Sequence, residues 1–379
     1  MHIKRLKEHL ESDGLHVTVY NTSSELQGGH DPAVIQTGPL NRRSIMRYFG
    51  AVNGDIIHFH DSSSWAGRVA FTVLFRVLKR SATIVTLHNP DITSLQIVGA
   101  GPEENPSLFR RIVGPLLVRM LGLNSALIAV SSDIQRSLLG YGVRSTKVNM
   151  IPAHLRPTVT DDDVARVPAE VWDFIAEHSP VVVLTCSFLG LRNGADIYGL
   201  DRAVEACSLM RARFPDIGFL TLVTKVADED YFRRTQEAIV ARNVTRHFGL
   251  FRSGFELCPV LLRSDLHLRP TLVDGDAVSI REALHFGVPV LASDICARPS
   301  GCAVYQADDI RSLVEAAAAI LNGASGRHDH VPAHGEVDFY EQVKSVYAAL
   351  VPSVADSSPH GFPRVSSLGR TAQERPIEG

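Results

Sequence analysis

Asp274 and Glu282 stand eight positions apart in "RPTLVDGDAVSIREALHFGVPVLASD", residues Arg269 to Asp294, with Gly275 between them. Carboxylates accept hydrogen bonds from hydroxyls, and one carboxylate can take both hydroxyls of a ribose. Gly275 lets the backbone turn tightly and approach a ligand with no Cβ in the way. The helix expected from about Val278 offers free amides and a partial positive charge at its start, which suits a diphosphate. Eight residues across a turn and a helix separate the two carboxylates too far for a general acid/base pair. The spacing puts them at opposite ends of an extended ligand: Asp274 can accept hydrogen bonds from sugar hydroxyls, Glu282 can accept two from a ribose, and the helix start lies between them.

Elements of a particular kind must position these residues. From Leu266 the pattern reads as a short strand, a loop at Thr271 to Ala277, a helix to about Phe286, a stop at Gly287 and a strand "VPVLAS". Upstream, "HVTVYNT", "DIIHFHD", "ATIVTLHN" and "ALIAVSS" read as strands, and "SSWAGRVAFTVLFRVLKR" and "SSDIQRSLLGYG" as helices opened by serine caps. The pattern restarts with "VVVLTCS", "GLDRAVEACSLMRARF", "GFLTLVT" and "DLHLRP". Strand, helix, strand implies parallel sheet, so the chain reads as α/β with two Rossmann-like doubly wound domains facing a cleft. The expected boundaries are 1–152 for the N-terminal domain, 153–179 for a linker and 180–335 for the C-terminal domain. A last helix at 336–351 is expected to cross back to the first domain. The tail 352–379, rich in Pro, Ser and Gly without periodicity, reads as disordered.

A length of 379 residues exceeds the size of one ordinary core, so two domains are the expectation. With 45% apolar and 21% charged residues the composition is that of a globular protein, and a net charge of -3 gives no reason to expect a nucleic-acid partner. The five cysteines are widely spaced with no CxxC pair, which reads as reduced cytosolic thiols and neither a disulfide framework nor a zinc site. No run approaches the roughly 20 apolar residues of a membrane span, so a cytoplasmic chain, at most peripheral to a membrane, is expected.

Taken together, Asp274-Gly275, Glu282-Ala283 and Gly287-Val288-Pro289-Val290 resemble the signature of retaining GT-B glycosyltransferases of family four, with Asp in place of the first Glu. "DIIHFHD" and "IVTLHNP" are similar to two N-domain strands of that family that end in histidine. "IAVSSDIQRSLLGYGV", followed by "KVNMIP", and "LLRSDLHLRPT" extend the resemblance over most of the chain. The resemblance implies a UDP- or GDP-sugar donor, hexosyl transfer with retention of anomeric configuration, no metal and no cofactor. It implies that Glu282 holds the ribose, that Asp274 holds the donor sugar, and that the backbone of Gly275, Asp276, Ala277 and Val278 meets sugar and phosphate. His88 would face the reacting sugar from the N-terminal domain; His60 is a weaker candidate, and His58 reads as packing. The implied acceptor is a glycan or a lipid-linked sugar, the latter bringing peripheral contact with the inner leaflet.

Three departures matter. The family's diphosphate-binding Arg and Lys correspond here to Arg192 and to a tyrosine, Tyr198, with Arg269 as the first choice to compensate, ahead of Arg281 and Arg298. Asp274 is one methylene shorter than the usual Glu. Met1 leads directly into the helical stretch "IKRLKEHLESDG" with no preceding strand and Gly-rich turn, so the first sheet is expected to lack a strand, through a start assigned too late or a natural truncation. Two other functions therefore compete with transfer: a catalytically silent sugar-nucleotide-binding or partner protein, and a UDP-sugar epimerase. The segment Asn105 to Ala126 reads either as a basic helix facing a membrane or as a helix packed on the sheet.

Overall fold

The structure, a computed structural model, describes residues 2–21, 34–36, 52, 54–61, 66–79, 81–88, 108–192, 194–274, 277–323 and 339–351. The strands are β1 (Val19–Asn21), β2 (Val34–Gln36), β3 (Ile56–Asp61), β4 (Ala82–Leu87), β5 (Ala126–Ala129), β6 (Val148–Met150), β7 (Val181–Cys186), β8 (Leu191–Arg192), β9 (Ala195–Asp196), β10 (Gly218–Val223), β11 (Phe248–Arg252), β12 (Leu266–Arg269), β13 (Val290–Ser293) and β14 (Ala303–Tyr305).

In the N-terminal domain β3-β4-β5-β6 form one parallel sheet. Its central strands β4 and β5 are buried on both faces, the situation that favours continuous Ile, Val and Leu runs over alternation. Ile84 and Ile128 point to one face, where they meet Leu6 and Leu10 of the N-terminal helix His2–Ser12 and Tyr340, Val343 and Tyr347 of the C-terminal helix Phe339–Leu350. Val85, Leu87, Leu127 and Ala129 point to the other, under Val118, Leu121, Ile134 and Leu138. The strands β1 and β2 pair with each other in parallel, and among the described residues neither pairs with β3.

The C-terminal sheet is parallel throughout, in the order β11-β10-β7-β12-β13-β14. The chain starts at β7, winds outward to β11, and returns to lay β12 against the other side of β7. Strand order therefore reverses between β7 and β12. In open α/β sheets such a reversal leaves a crevice at the carboxyl ends of the two strands, because the connections leave them toward opposite faces.

The segment read as a linker has more structure than its polarity implied. It carries helices Asp161–Ala165 and Ala169–Glu177. The first is closed by a capping box between Thr160 and Asp163. Val167, Val171 and Ile175, four apart on one stripe, are buried in the C-terminal core.

The C-terminal helix lies on the N-terminal domain. Lys344 Nζ donates to Asp13 Oδ2 at 2.5 Å, Tyr340 Oη donates to the same oxygen at 2.6 Å, and Tyr347 Oη meets His58 Nδ1 at 2.5 Å. The tail 352–379 lies outside the described residues. No helix of the described residues is long and apolar enough to cross a membrane.

Candidate functional site

Asp274 follows β12 across a short loop at the strand-order reversal. It is nearly sealed from solvent and held by two arginines. Arg269 Nε donates to Oδ2 at 3.0 Å and its Nη2 to Oδ1 at 3.1 Å, a two-point grip, while Arg298 Nη1 donates to Oδ2 at 2.7 Å. Thr271 Oγ1 adds a bond at 3.2 Å. Burial alone would raise the Asp274 carboxyl, but the Arg269 and Arg298 guanidiniums hold it down at about 2. Both arginines are themselves positioned: Arg269 Nη1 reaches the Thr185 carbonyl at 3.3 Å, and Arg298 Nε donates to the Ser293 carbonyl at 2.9 Å. Two guanidiniums around one carboxylate leave this end of the site with an excess positive charge. Tyr198 lies beneath it, its ring 5.6 Å from the Arg269 guanidinium carbon.

The signature helix Val278–His285 begins beside this cluster. Its N-cap residue, Ala277, has no side-chain acceptor, so the first-turn amides are uncapped by it. Ser279 in that turn is fixed by His267 Nε2 at 3.1 Å. The stop at Gly287, φ +72°, falls where the sequence places it. Gly275 and Asp276 lie outside the described residues, as does the side chain of Arg192, whose backbone forms part of β8.

Glu282, one turn into the helix, is brought against the other domain. Its Oε1 accepts from Arg5 Nη1 at 2.5 Å, and Arg5 Nη2 donates to Glu256 Oε2 at 3.0 Å. The side chains of Glu282 and Arg5 are 2% and 9% exposed, so this is a buried ion pair and Glu256 is the wetter end of the cluster. Burial works against charge on Arg5 and the Glu282 carboxylate more than offsets it, raising the guanidinium above its ordinary value. Burial also pushes the Glu282 carboxyl up, and Arg5 pulls it back only in part. Two carboxylates share one guanidinium, so this end of the helix carries an excess of negative charge.

His88 follows β4 at the carboxyl edge of the N-terminal sheet. Its Nε2 lies 3.1 Å from His60 Nδ1, with the rings stacked at 5.4 Å between centroids. Burial lowers His88 to about 4, which keeps the ring neutral at pH 7. His58 is a packing residue, fixed between Tyr347 and Thr86 Oγ1, the latter at 2.7 Å.

The structure thus joins Asp274 to Arg269 and Arg298 at one end of the helix and Glu282 to Arg5 at the other. Arg5 and Glu256 were missed by sequence reasoning. The available signal was a cation at position 5 beside the apolar stripe of Leu6 and Leu10, because a buried arginine requires an acidic partner. Arg281, a secondary candidate for the diphosphate, lies over the Phe339 ring at 5.2 Å.

With two parallel-sheet domains and the carboxylate segment at the reversal, known folds can be compared. A glycosyltransferase from Rickettsia africae ESF-5 matches with a TM-score of 0.62 at 14% identity, covering 92% of this chain and 94% of its own. The chain has the GT-B fold. Anabaena HepE in complex with UDP-glucose (TM-score 0.59, 11% identity, 89% and 98% coverage) and the sucrose-phosphate synthase of Thermosynechococcus elongatus (0.57, 15%, 93% and 91%) are also similar in fold. Residues 1–153 match the model of Glycosyltransferase Family 4, in agreement with the resemblance carried by the sequence motifs. No curated protein matches the sequence. In GT-B terms, the helix Val278–His285 belongs to the second domain and turns Glu282 toward the first.

Proposed function

We propose that the chain is a retaining hexosyltransferase that uses a UDP- or GDP-sugar and a glycan or lipid-linked acceptor, without a bound metal. The observation that carries this reading is the charge pattern along one helix at the strand-order reversal: excess positive charge and uncapped amides at its start, excess carboxylate one turn on. A nucleoside diphosphate sugar is negative in its middle and offers hydroxyl donors at both ends. In this reading Arg269, Arg298 and the amides of residues 275–278, with Arg192, take the diphosphate. Asp274 takes sugar hydroxyls and Glu282 the ribose.

A two-point grip on the ribose needs both oxygens of Glu282, so binding displaces Arg5 from Oε1. Glu256, already bonded to the other guanidinium nitrogen, keeps the released cation paired. Neutral His88 faces the sugar from the N-terminal domain. The acceptor oxygen bonds to the anomeric carbon as the bond to the donor phosphate breaks on the same face, and the departing phosphate oxygen receives the acceptor's proton. The protein contributes positioning and stabilisation of the charge that develops on the leaving group.

A silent sugar-nucleotide-binding protein is the second reading. It is favoured by the fact that both oxygens of Asp274 are already bonded to guanidinium groups. An epimerase needs a carboxyl that exchanges protons near neutral pH; Asp274, held at about 2, does not suit that role, whereas Glu282, pushed up by burial, is the carboxyl that could. The test is nucleotide release and acceptor glycosylation over a panel of UDP- and GDP-hexoses, with product configuration read by NMR. Turnover with retained configuration, falling by about 100-fold or more in Glu282→Ala, is expected. Binding by calorimetry without turnover supports the silent protein, and release undiminished in Glu282→Ala overturns the role of Glu282.

A further inference from the structure

The middle of the C-terminal sheet buries a polar residue that the donor chemistry leaves unused. His267, in "LHLR" of β12, is 0% exposed. A histidine sealed between two leucines of a central strand must find hydrogen-bond partners or cost stability. Its main-chain N–H donates to the Pro289 carbonyl at 2.8 Å, on the β13 side. Its ring turns to other neighbours, with Nδ1 3.1 Å from the Val183 carbonyl of β7 and Nε2 3.1 Å from Ser279 Oγ, in the first turn of the helix Val278–His285. One side chain thus joins β7, β12 and the signature helix at the strand-order reversal.

The chemistry of each partner fixes the direction of these bonds. A carbonyl oxygen only accepts, so Nδ1 carries the ring's proton. Burial, and then the nearby Arg269 charge, lower His267 to about 3, so at pH 7 the ring has no second proton and Nε2 accepts from the Ser279 hydroxyl. With its one proton so used, Ser279 offers lone pairs to Thr185, whose Oγ1 donates to it across 3.5 Å, the longest link. Thr185 Oγ1 in turn presents a lone pair to Arg269, and Nη1 donates to it at 3.3 Å and to the Thr185 carbonyl at 3.3 Å. The other edge of the guanidinium grips Asp274, from Nε at 3.0 Å and Nη2 at 3.1 Å. A proton on Nε2 would reverse both hydroxyls and set the Thr185 proton against the guanidinium, donor against donor.

We propose that His267 is a positioning residue: its Nδ1–H tautomer orients Arg269 through Ser279 and Thr185. The row ends on the cation that grips Asp274 and, in the function proposed above, meets the diphosphate. What the orientation serves rests on that function; the orientation itself does not. A guanidinium offered acceptors on two edges is held in one plane before any ligand arrives, and preorganised charge of this kind stabilises a departing diphosphate. The same row draws the Ser279 hydroxyl inward, away from the first-turn amides for which a serine otherwise competes. His267 is enclosed and touches no ligand, so it acts only through the residues it orients. Were it mere packing, an apolar residue of similar volume would serve as well and leave Arg269 unchanged.

Nitrogen NMR of the full chain, labelled in histidine and arginine, tests the proposal without a ligand. At pH 7 His267 is expected to show a protonated Nδ1 and an unprotonated Nε2, and Arg269 two separate Nη signals in slow exchange. Thr185→Val and Ser279→Ala each cut the row, and His267→Leu removes its origin; each is expected to speed exchange between the two Nη positions by about tenfold. His267→Gln, which can offer its side-chain oxygen to Ser279, is expected to speed it less. In calorimetry with UDP and GDP, each cut is expected to weaken the nucleotide that the wild type binds by about tenfold. Thr185→Val combined with Ser279→Ala is expected to lose no more than either alone, since two cuts break one row once. A protonated Nε2 at pH 7, or Nη exchange unchanged in Ser279→Ala, overturns the proposal, and both observations stand even if His267→Leu fails to fold. Additive losses in the double variant overturn it too, because they mark independent contacts. A wild type that binds neither nucleotide, with the Nη signals behaving as expected, refutes the donor reading and not the positioning of Arg269.

Discussion

Glu282 and Asp274 owe their properties to arginines that come from different parts of the chain. Replacing Arg5 with Ala would leave two carboxylates facing each other in a buried setting, and removal of one partner from a buried pair costs about 3 kcal/mol or more. Denaturant unfolding of Arg5→Ala is expected to show that loss, and Arg5→Lys to recover part of it, since a lysine keeps the charge without the two-pronged reach. Asp274 gives a pH signature. Its folded value of about 2 lies below the ordinary 3.8, so its stabilisation is present above that ordinary value and is lost as pH falls through about 2. At about 1.4 kcal/mol per pKa unit this amounts to about 2 kcal/mol. Acid titration of Asp274→Asn should show a flatter profile than wild type between pH 4 and 2; an identical slope would contradict the assignment. The two carboxylates were legible in the sequence because turn, glycine and helix pattern sit within one short stretch. Arg5 was not, because its partners lie more than 250 positions away.

At the scale of elements, the approach of two loops builds the site. Gly199, φ +70°, caps the helix Leu200–Met210, and a Cβ there would lie 2.0 Å from the Pro270 carbonyl oxygen. Pro270 follows Arg269, so this close approach sets where the arginine leaves β12. Gly199→Ala combines a left-handed backbone with a clash against another backbone, and a loss of about 3 kcal/mol or more is expected, seen as a lower melting temperature. Strands β4, β5, β7, β10, β12 and β13 were legible from their apolar runs, as was the helix stop at Gly287. Strands β11 and β14 were not: "FGLFR" carries a glycine and "AVY" spans three residues, too short for a period to register. The helix Ala169–Glu177 was hidden by the acidic, proline-containing stretch before it.

Across the whole molecule, both domains bury histidines. Burial lowers His58 to about 3, His88 to about 4 and His267 to about 3, with His88 adding to the shift at His58 and Arg269 to that at His267. The unfolded chain binds these protons near pH 6.5 and the folded chain does not, so stability is full above that pH and falls as the pH drops toward 4. Calorimetry should show the melting temperature falling steadily from pH 7 to pH 5, and a flat profile would refute the buried neutral state. The two-domain plan was legible because the α/β pattern visibly restarts. How the domains meet was not, since the Arg5 to Glu282 contact and the cover of the C-terminal helix over Ile84 and Ile128 are products of tertiary packing.

The separate pairing of β1 with β2 implies that the molecule opens in parts. Those two strands share three residue pairs and, among the described residues, no ladder with β3, whereas β4 is flanked on both sides and fully enclosed. Cooperative units with little shared hydrogen bonding open independently. Amide hydrogen exchange should therefore find Val19–Asn21 losing protection at a small fraction of the global unfolding free energy while Ile84 to Leu87 exchange only through global unfolding. The outer edge of β3, which carries no ladder among the described residues, would then be extended backbone with which an incoming strand could pair.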